Sequence, residues 1–173
     1  FTVQLAGQKK VVIDPGEGIT IMPAVVMPAS RGAITLNSPD PLARPTVDYN
    51  MLEDPRDQHT MIKAMRWTLA CFQTEPLKSL MTGKCNPGFD SSDEALLDHA
   101  RAIGFPGAHC AGSCAMGSGP LAVVDDQLSV HGVEGLSVCD ASIMPEVVAG
   151  NTNGPSIMIG YRGSQMIRRQ AAV

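Results

Sequence analysis

Proline and glycine cut this chain into short pieces, and that division limits what it can fold into more than any other feature. There are 13 Pro and 17 Gly among 173 residues. Proline lacks an N–H and glycine carries the largest backbone entropy, so long uninterrupted elements are confined to a few windows. The first fifty residues offer only short apolar runs. Lys10–Ile13 and Gly18–Met22 are split by Asp14-Pro15-Gly16, Ala33–Leu36 is stopped by Pro39-Asp40-Pro41, and Thr46–Tyr49 alternates again. Four or five such strands with turn residues between them predict an antiparallel sheet.

Two helices should follow. Asp54 is a capping residue, Pro55 suits the first helical position, and Asp57 puts negative charge at the positive end of the dipole. Ile62, Met65, Leu69 and Phe72 recur at helical spacing on one face, and Pro76 forces a stop. Ser91-Ser92-Asp93-Glu94 reads as a capping box for a second helix, with Leu96, Ala100 and Ile103 inward and Gly104 at its end. From Pro106 the periodicity breaks down and glycine becomes dense. Leu128–Val130 and Leu136–Cys139 read as strands around Gly132-Val133-Glu134-Gly135. Asn151–Pro155 opens a last helix, whose negative end suits Arg168 and Arg169.

Composition narrows the functional classes. Net charge is −4 with no block of Lys or Arg, which argues against nucleic acid and anionic membranes as partners. The most apolar stretch, Ile19 to Met27, is too short for a membrane span and carries prolines. No basic region followed by an apolar run opens the sequence as a signal peptide would. Five scattered cysteines, an odd count, predict reduced thiols in a cytoplasmic protein rather than a disulfide scaffold.

Two segments stand out chemically. His109 lies between a helix end and the glycine-rich run Cys110–Gly117, a placement common for site residues. The residues alone also allow a His that merely satisfies a hydrogen bond, or a zinc site with Cys110 and Cys114. His-Cys-x-x-x-Cys is not a recognised zinc spacing, so no metal is expected. The second segment is Gly150-Asn151-Thr152-Asn153-Gly154-Pro155. Free N–H groups at a helix start among small residues can receive electron-rich oxygens. A plain helix cap is the other reading.

Taken in order, these segments resemble the C-terminal signature of the glucose–methanol–choline oxidoreductases: His-x-x-Gly-Thr-x-x-Met-Gly, Val-Val-Asp, Val-x-Gly-Val-x-Gly-Leu-x-Val-x-Asp-Ala-Ser-x-Met-Pro, and Gly-Asn-Thr-Asn-x-Pro. This chain supplies His109–Gly117 with Ser113 where Thr is usual, Val123–Asp125, Val130–Pro145 and Gly150–Pro155. Ser30-Arg31-Gly32 and Asp54–Asp57 resemble the substrate-domain half of the family.

The resemblance implies oxidation of a small-molecule primary or secondary alcohol by hydride transfer to FAD. His109 then matches the base and Asn151 its hydrogen-bonding partner, since an amide does not titrate. Asp140 and Ala141 match the segment along the flavin and its ribityl chain. Asn153, Gly154 and Pro155 match the helix start facing the pyrimidine edge. Asp140 also reads as a turn former. His99 and His131 have no motif support and read as surface or structural residues.

The family's Gly-x-Gly-x-x-Gly fingerprint for the pyrophosphate does not occur in this sequence. The resemblance therefore implies an N-terminal FAD-binding part, in the same or a separate chain. The expected fold class is α+β, an antiparallel sheet with flanking helices plus segments that complete an FAD-binding α/β domain. Residues 1–105 would form the substrate-binding portion, and 106–173 the catalytic loop and C-terminal segment. A flavin-containing hydroxynitrile lyase of the same family and a non-catalytic domain that kept the fold are the competing readings.

Overall fold

The computed structural model describes residues 3–6, 10–13 and 18–171. The chain forms two compact units, one of Phe1–Ser30 with Asn50–Phe105, the other of Arg31–Tyr49 with Pro106–Val173. Residues 31–49 thus group with the C-terminal segment, where the sequence placed all of 1–105 together.

In the first unit β1 (Val3–Ala6) pairs antiparallel with β2 (Lys10–Ile13), with Val3 opposite Ile13. Gly18–Met22 forms no strand, and Ile19 and Met22 are exposed. The run has no partner ladder among the described residues, and an isolated strand has nothing to satisfy its backbone. Helix α1 (Pro55–Phe72) starts as its sequence predicts. Asp54 Oδ1 accepts from the Arg56 N–H at 2.8 Å, and at the other end Gln73 N donates to the Ala70 carbonyl and Thr74 N to the Cys71 carbonyl. The Arg56 guanidinium on Asp54 holds that carboxyl down at about 2. After a four-residue turn of helix, α2 (Leu77–Leu80), comes α3 (Asp93–Ile103).

The cap of α3 sits one residue later than expected. Ser92 Oγ accepts from Ala95 N at 3.1 Å, so Glu94 is the second helical residue and cannot return a bond as a capping box requires. Asp93 instead ties the start of α3 to α1 through Arg66, at 2.6 Å. Met65 and Leu69 of α1 pack with Leu96 and Ala100 of α3 as the core, whereas Ile103 is exposed. Gly104 closes α3 without a left-handed turn (φ −59°); a Cβ there would lie 2.4 Å from the Ala100 carbonyl oxygen.

Asp57 is the polar anchor of this unit. It is 3% exposed and accepts from Ala29 N at 2.8 Å, from Ser30 N at 2.7 Å and from Ser30 Oγ. Burial pushes its carboxyl up, but the three donors together outweigh burial and the group ends below the ordinary carboxylate value. Asp57→Ala should therefore cost about 3 kcal/mol, because buried donors lose a charged acceptor. A depressed carboxyl contributes stability that is present above the unfolded value of about 3.9 and lost as pH falls through the folded one. Urea titration of wild type and variant should show the full gap at neutral pH and a shrinking gap in acid. A neutral-pH gap below about 1 kcal/mol would mean that water replaces the carboxylate.

In the second unit β3 (Ala33–Thr35) pairs antiparallel with β4 (Thr46–Asp48), Ile34 opposite Val47. The strands described are thus two separate two-stranded ribbons, not one sheet of four or five. Gly32 is required by the close approach of the ribbon, since a Cβ would fall 2.1 Å from the Asp48 carbonyl oxygen. The strands expected at 128–130 and 136–139 shrink to single bridges, Ser129 to Ser137 and Val124 to Val130. Around them Val124, Leu128, Ile143, Met144 and Ile159 form the core of the unit. Ile159 belongs to α4 (Asn153–Ala171), with Arg168 and Arg169 in its last turn. Gly163 lets α4 approach closely: a Cβ there would meet Cys139 Sγ at 2.5 Å.

Candidate active site

His109 is placed by a strained backbone and a fixed loop. Ala108 before it takes φ 58°, a left-handed conformation that costs a non-glycine residue about 1 kcal/mol and persists only where surroundings enforce it. The loop that follows lies along the segment after Asp140: Cys114 N donates to the Ser142 carbonyl at 2.9 Å and Met116 N to the Ile143 carbonyl at 2.8 Å. Ile143 in turn belongs to the same core as Ile159 of α4. The glycine-rich loop is therefore seated on the hydrophobic core of its unit through ordinary backbone pairing.

The imidazole reaches the beginning of α4. His109 Nδ1 is 3.1 Å from Thr152 Oγ1 and 3.4 Å from the Thr152 N–H, which donates to it. Among the described residues no partner bonds Nε2. Thr152 is 7% exposed, while Asn151, Asn153 and Gly154 on either side of it are exposed. The Thr152 carbonyl accepts from Ser156 N at 2.9 Å, the first bond of the helix ladder. The N–H groups of Asn153 and Gly154 have no carbonyl one turn earlier to receive them, and Pro155 has none to offer. Around the places where a Cβ would stand on Gly150 and Gly154, no atom comes within 4 Å apart from the adjoining backbone and neighbouring residues. The helix start thus presents two N–H groups at an open surface.

Asp140 and Ala141 lie elsewhere along the same helix. Cys139, just before them, is against Gly160 and Gly163, about two to three turns beyond the start of α4. The Asp140 carboxylate caps the short 3₁₀ turn Ala141–Ile143, accepting from Ser142 N at 2.8 Å. The Ser142 side chain and then its N–H hold the Asp140 carboxyl below the ordinary value against a smaller effect of burial. Turn formation is what this carboxylate does here. Among the described residues, no hydrogen bond joins His109 to Asn151 or to Asp140; the structure brings His109 to residue 152 between the two asparagines.

Cys110 is exposed and lies beside Tyr49, whose phenol it holds above the ordinary value. His131 Nε2 lies 2.9 Å from the Gly117 carbonyl, a structural contact that secures the loop. Burial lowers the His99 imidazole. Among the described residues, no three His, Cys, Asp or Glu are grouped to hold a metal ion, and no helix is long and apolar enough to cross a membrane. Thr152 and Tyr49 are the site neighbours that sequence reasoning missed. Thr152 stood inside the motif as a polar residue between two asparagines, with no sign that it would be buried. Tyr49 is separated from Cys110 by residues 50–109, and no local pattern joins them.

Residues 28–160 match the GMC oxidoreductase family model. The chain belongs to the glucose–methanol–choline oxidoreductase family and covers its C-terminal portion. It is 42% identical over 160 residues to a glucose dehydrogenase [FAD, quinone] of Drosophila pseudoobscura pseudoobscura, covering 87% of this chain and 26% of that protein. It is 38% identical to an alcohol dehydrogenase [acceptor] of Pseudomonas putida, covering 91% of this chain and 29% of that protein. Among solved structures it resembles a fungal aryl-alcohol oxidase with a TM-score of 0.72 and 30% identity, over 86% of this chain and 25% of that one. The chain therefore spans little more than a quarter of the length of these relatives.

Proposed function

We propose that this chain is the catalytic C-terminal part of a flavin-dependent alcohol oxidoreductase acting on a primary or secondary alcohol. The observation that carries the reading is the contact between His109 Nδ1 and Thr152, which holds the imidazole at the start of α4, with Nε2 making no hydrogen bond among the described residues. The names of two relatives, an alcohol dehydrogenase and an aryl-alcohol oxidase, support the substrate class.

In this reading His109 Nε2 takes the hydroxyl proton, a step typically worth about 10²–10⁴ in rate. The Asn151 amide donates to the substrate oxygen, steering it and stabilising the charge it gains as the proton leaves. The oxygen's electron pair then closes the carbonyl while the carbon gives up its hydrogen as hydride. FAD, when bound, supplies the acceptor for that hydride. The open helix start fits such a group: the N–H groups of Asn153 and Gly154 would receive an electron-rich edge, and the absence of side chains at Gly150 and Gly154 leaves room for a flat ring. Asp140 and Ala141 would flank the remainder of the cofactor. The adenine and pyrophosphate would be held by an N-terminal part of the kind the family's longer members carry.

Anaerobic addition of alcohols to the complete flavoprotein tests the reading. A primary or secondary alcohol should bleach the flavin absorbance and yield one equivalent of aldehyde or ketone. A flavin that dithionite reduces but that a broad panel of such alcohols leaves oxidised would overturn it.

A further inference from the structure

We infer that Thr152 is a positioning residue for His109, and that its hydroxyl makes available the imidazole tautomer able to take a proton at Nε2. The inference rests on the proposed role of His109 as base. Thr152 stands at the cap of α4, where a threonine hydroxyl ordinarily accepts from the second or third N–H of the helix. The third helical residue here is Pro155, which has no N–H. The hydroxyl bonds His109 Nδ1 at 3.1 Å instead, from a residue that is almost wholly buried.

Two groups of Thr152 compete for Nδ1, and they favour opposite protonation patterns. The backbone N–H, at 3.4 Å, can only donate. Paired with it, Nδ1 is unprotonated and a neutral ring carries its proton on Nε2. That ring would donate to the substrate oxygen and could not accept from it there. The hydroxyl is amphoteric and closer. It accepts from Nδ1–H, which frees the Nε2 lone pair, and it keeps accepting after His109 becomes imidazolium and both ring nitrogens must donate. The imidazolium that forms on proton transfer therefore has a partner already in place. Removing the hydroxyl leaves only the N–H, which opposes both useful states.

Thr152→Val removes the hydroxyl at nearly constant shape, and Thr152→Ser keeps it. In the complete flavoprotein labelled in its histidines, nitrogen NMR reads the tautomer of His109, with His109→Ala identifying its signals. Thr152→Val should move the neutral His109 pattern toward protonation at Nε2. It should also slow flavin reduction by about 10–10²-fold with little change in KM, as expected when a ring loses the partner that sets its tautomer. Thr152→Ser should restore both. Thr152→Ala reads the same NMR change should the valine variant not fold. An unchanged nitrogen pattern in Thr152→Val or Thr152→Ala overturns the inference, as does a serine variant that fares no better than valine. If His109→Ala reduces its flavin normally while Thr152→Val still shifts the tautomer, the base assignment falls and the positioning contact stands.

Discussion

In the complete flavoprotein, His109→Ala is expected to slow flavin reduction by about 10²–10⁴ while FAD stays bound. Asn151→Ala is expected to cost less, about 10²–10³, since one donor to the substrate oxygen is lost and the base remains. The difference follows from chemistry that the two side chains do not share: an imidazole can take a proton and a primary amide cannot. The pH profile should divide them too. A base acts only when deprotonated, so the wild-type reductive rate should rise with pH through one step. His109→Ala should abolish that step and Asn151→Ala should keep it. Anaerobic stopped-flow absorbance with a good alcohol substrate measures all of this. Near wild-type reduction by His109→Ala, or greater damage in Asn151→Ala, would move the base to another residue.

A second large effect is expected at the surface of α4. Ile157 and Tyr161, one turn apart on the same face, are 66% and 64% exposed, with Met158 exposed beside them. Apolar surface of this kind needs a cover, and the proposed FAD-binding part is its natural source. Ile157→Asp combined with Tyr161→Asp should leave the fold of this chain intact, because neither side chain is in its core. It should weaken association with the FAD-binding part by at least about 10²-fold, since burying two large apolar side chains is worth about 3–6 kcal/mol. The chain by itself, wild type or variant, should bind FAD more weakly than micromolar, as the pyrophosphate fingerprint is not in its sequence. Fluorescence quenching by FAD and co-elution with a separately expressed FAD-binding part provide the two measurements. Tight FAD binding by the chain alone, or unimpaired assembly of the double aspartate variant, would count against this arrangement.

The sequence revealed those features whose causes are local. Asp54 and Pro55 specify the start of α1 within two residues, and the spacing of Met65 and Leu69 identifies the face that is buried. The segments at 33–36 and 46–49 do contain strands, over Ala33–Thr35 and Thr46–Asp48, but alternation did not show what they pair with or what covers them. Ile34 is 55% and Val47 46% exposed, so the pattern there reflects no core within this chain. Strand pairing is a long-range choice, and two ribbons satisfy the same local signals as one sheet. The same contrast governs the site. His109 and Asn151 could be picked out from an ordered motif. The partner of Nδ1 could not, because only the folded loop, carried on the segment after Asp140, brings position 152 against position 109 across 43 residues.

The grouping of residues 31–49 with 106–173 has a consequence for how this chain assembles and how it can be dissected. The ribbon leaves the ribosome before residues 50–105 and must wait for residues 106–173 before its own unit can form. Closing so long a loop adds little to the equilibrium cost, which grows only as the logarithm of length, about 0.6 kcal/mol per doubling. It weighs on timing instead, since contacts distant in sequence form slowly. Residues 50–105 can mature while the ribbon is still unanchored. Any deletion series that removes residues from the N-terminus through position 49 therefore takes a piece out of the unit that carries His109, although every residue removed lies far upstream of it. Loss of function in such a series would report an incomplete C-terminal unit as readily as a missing substrate pocket.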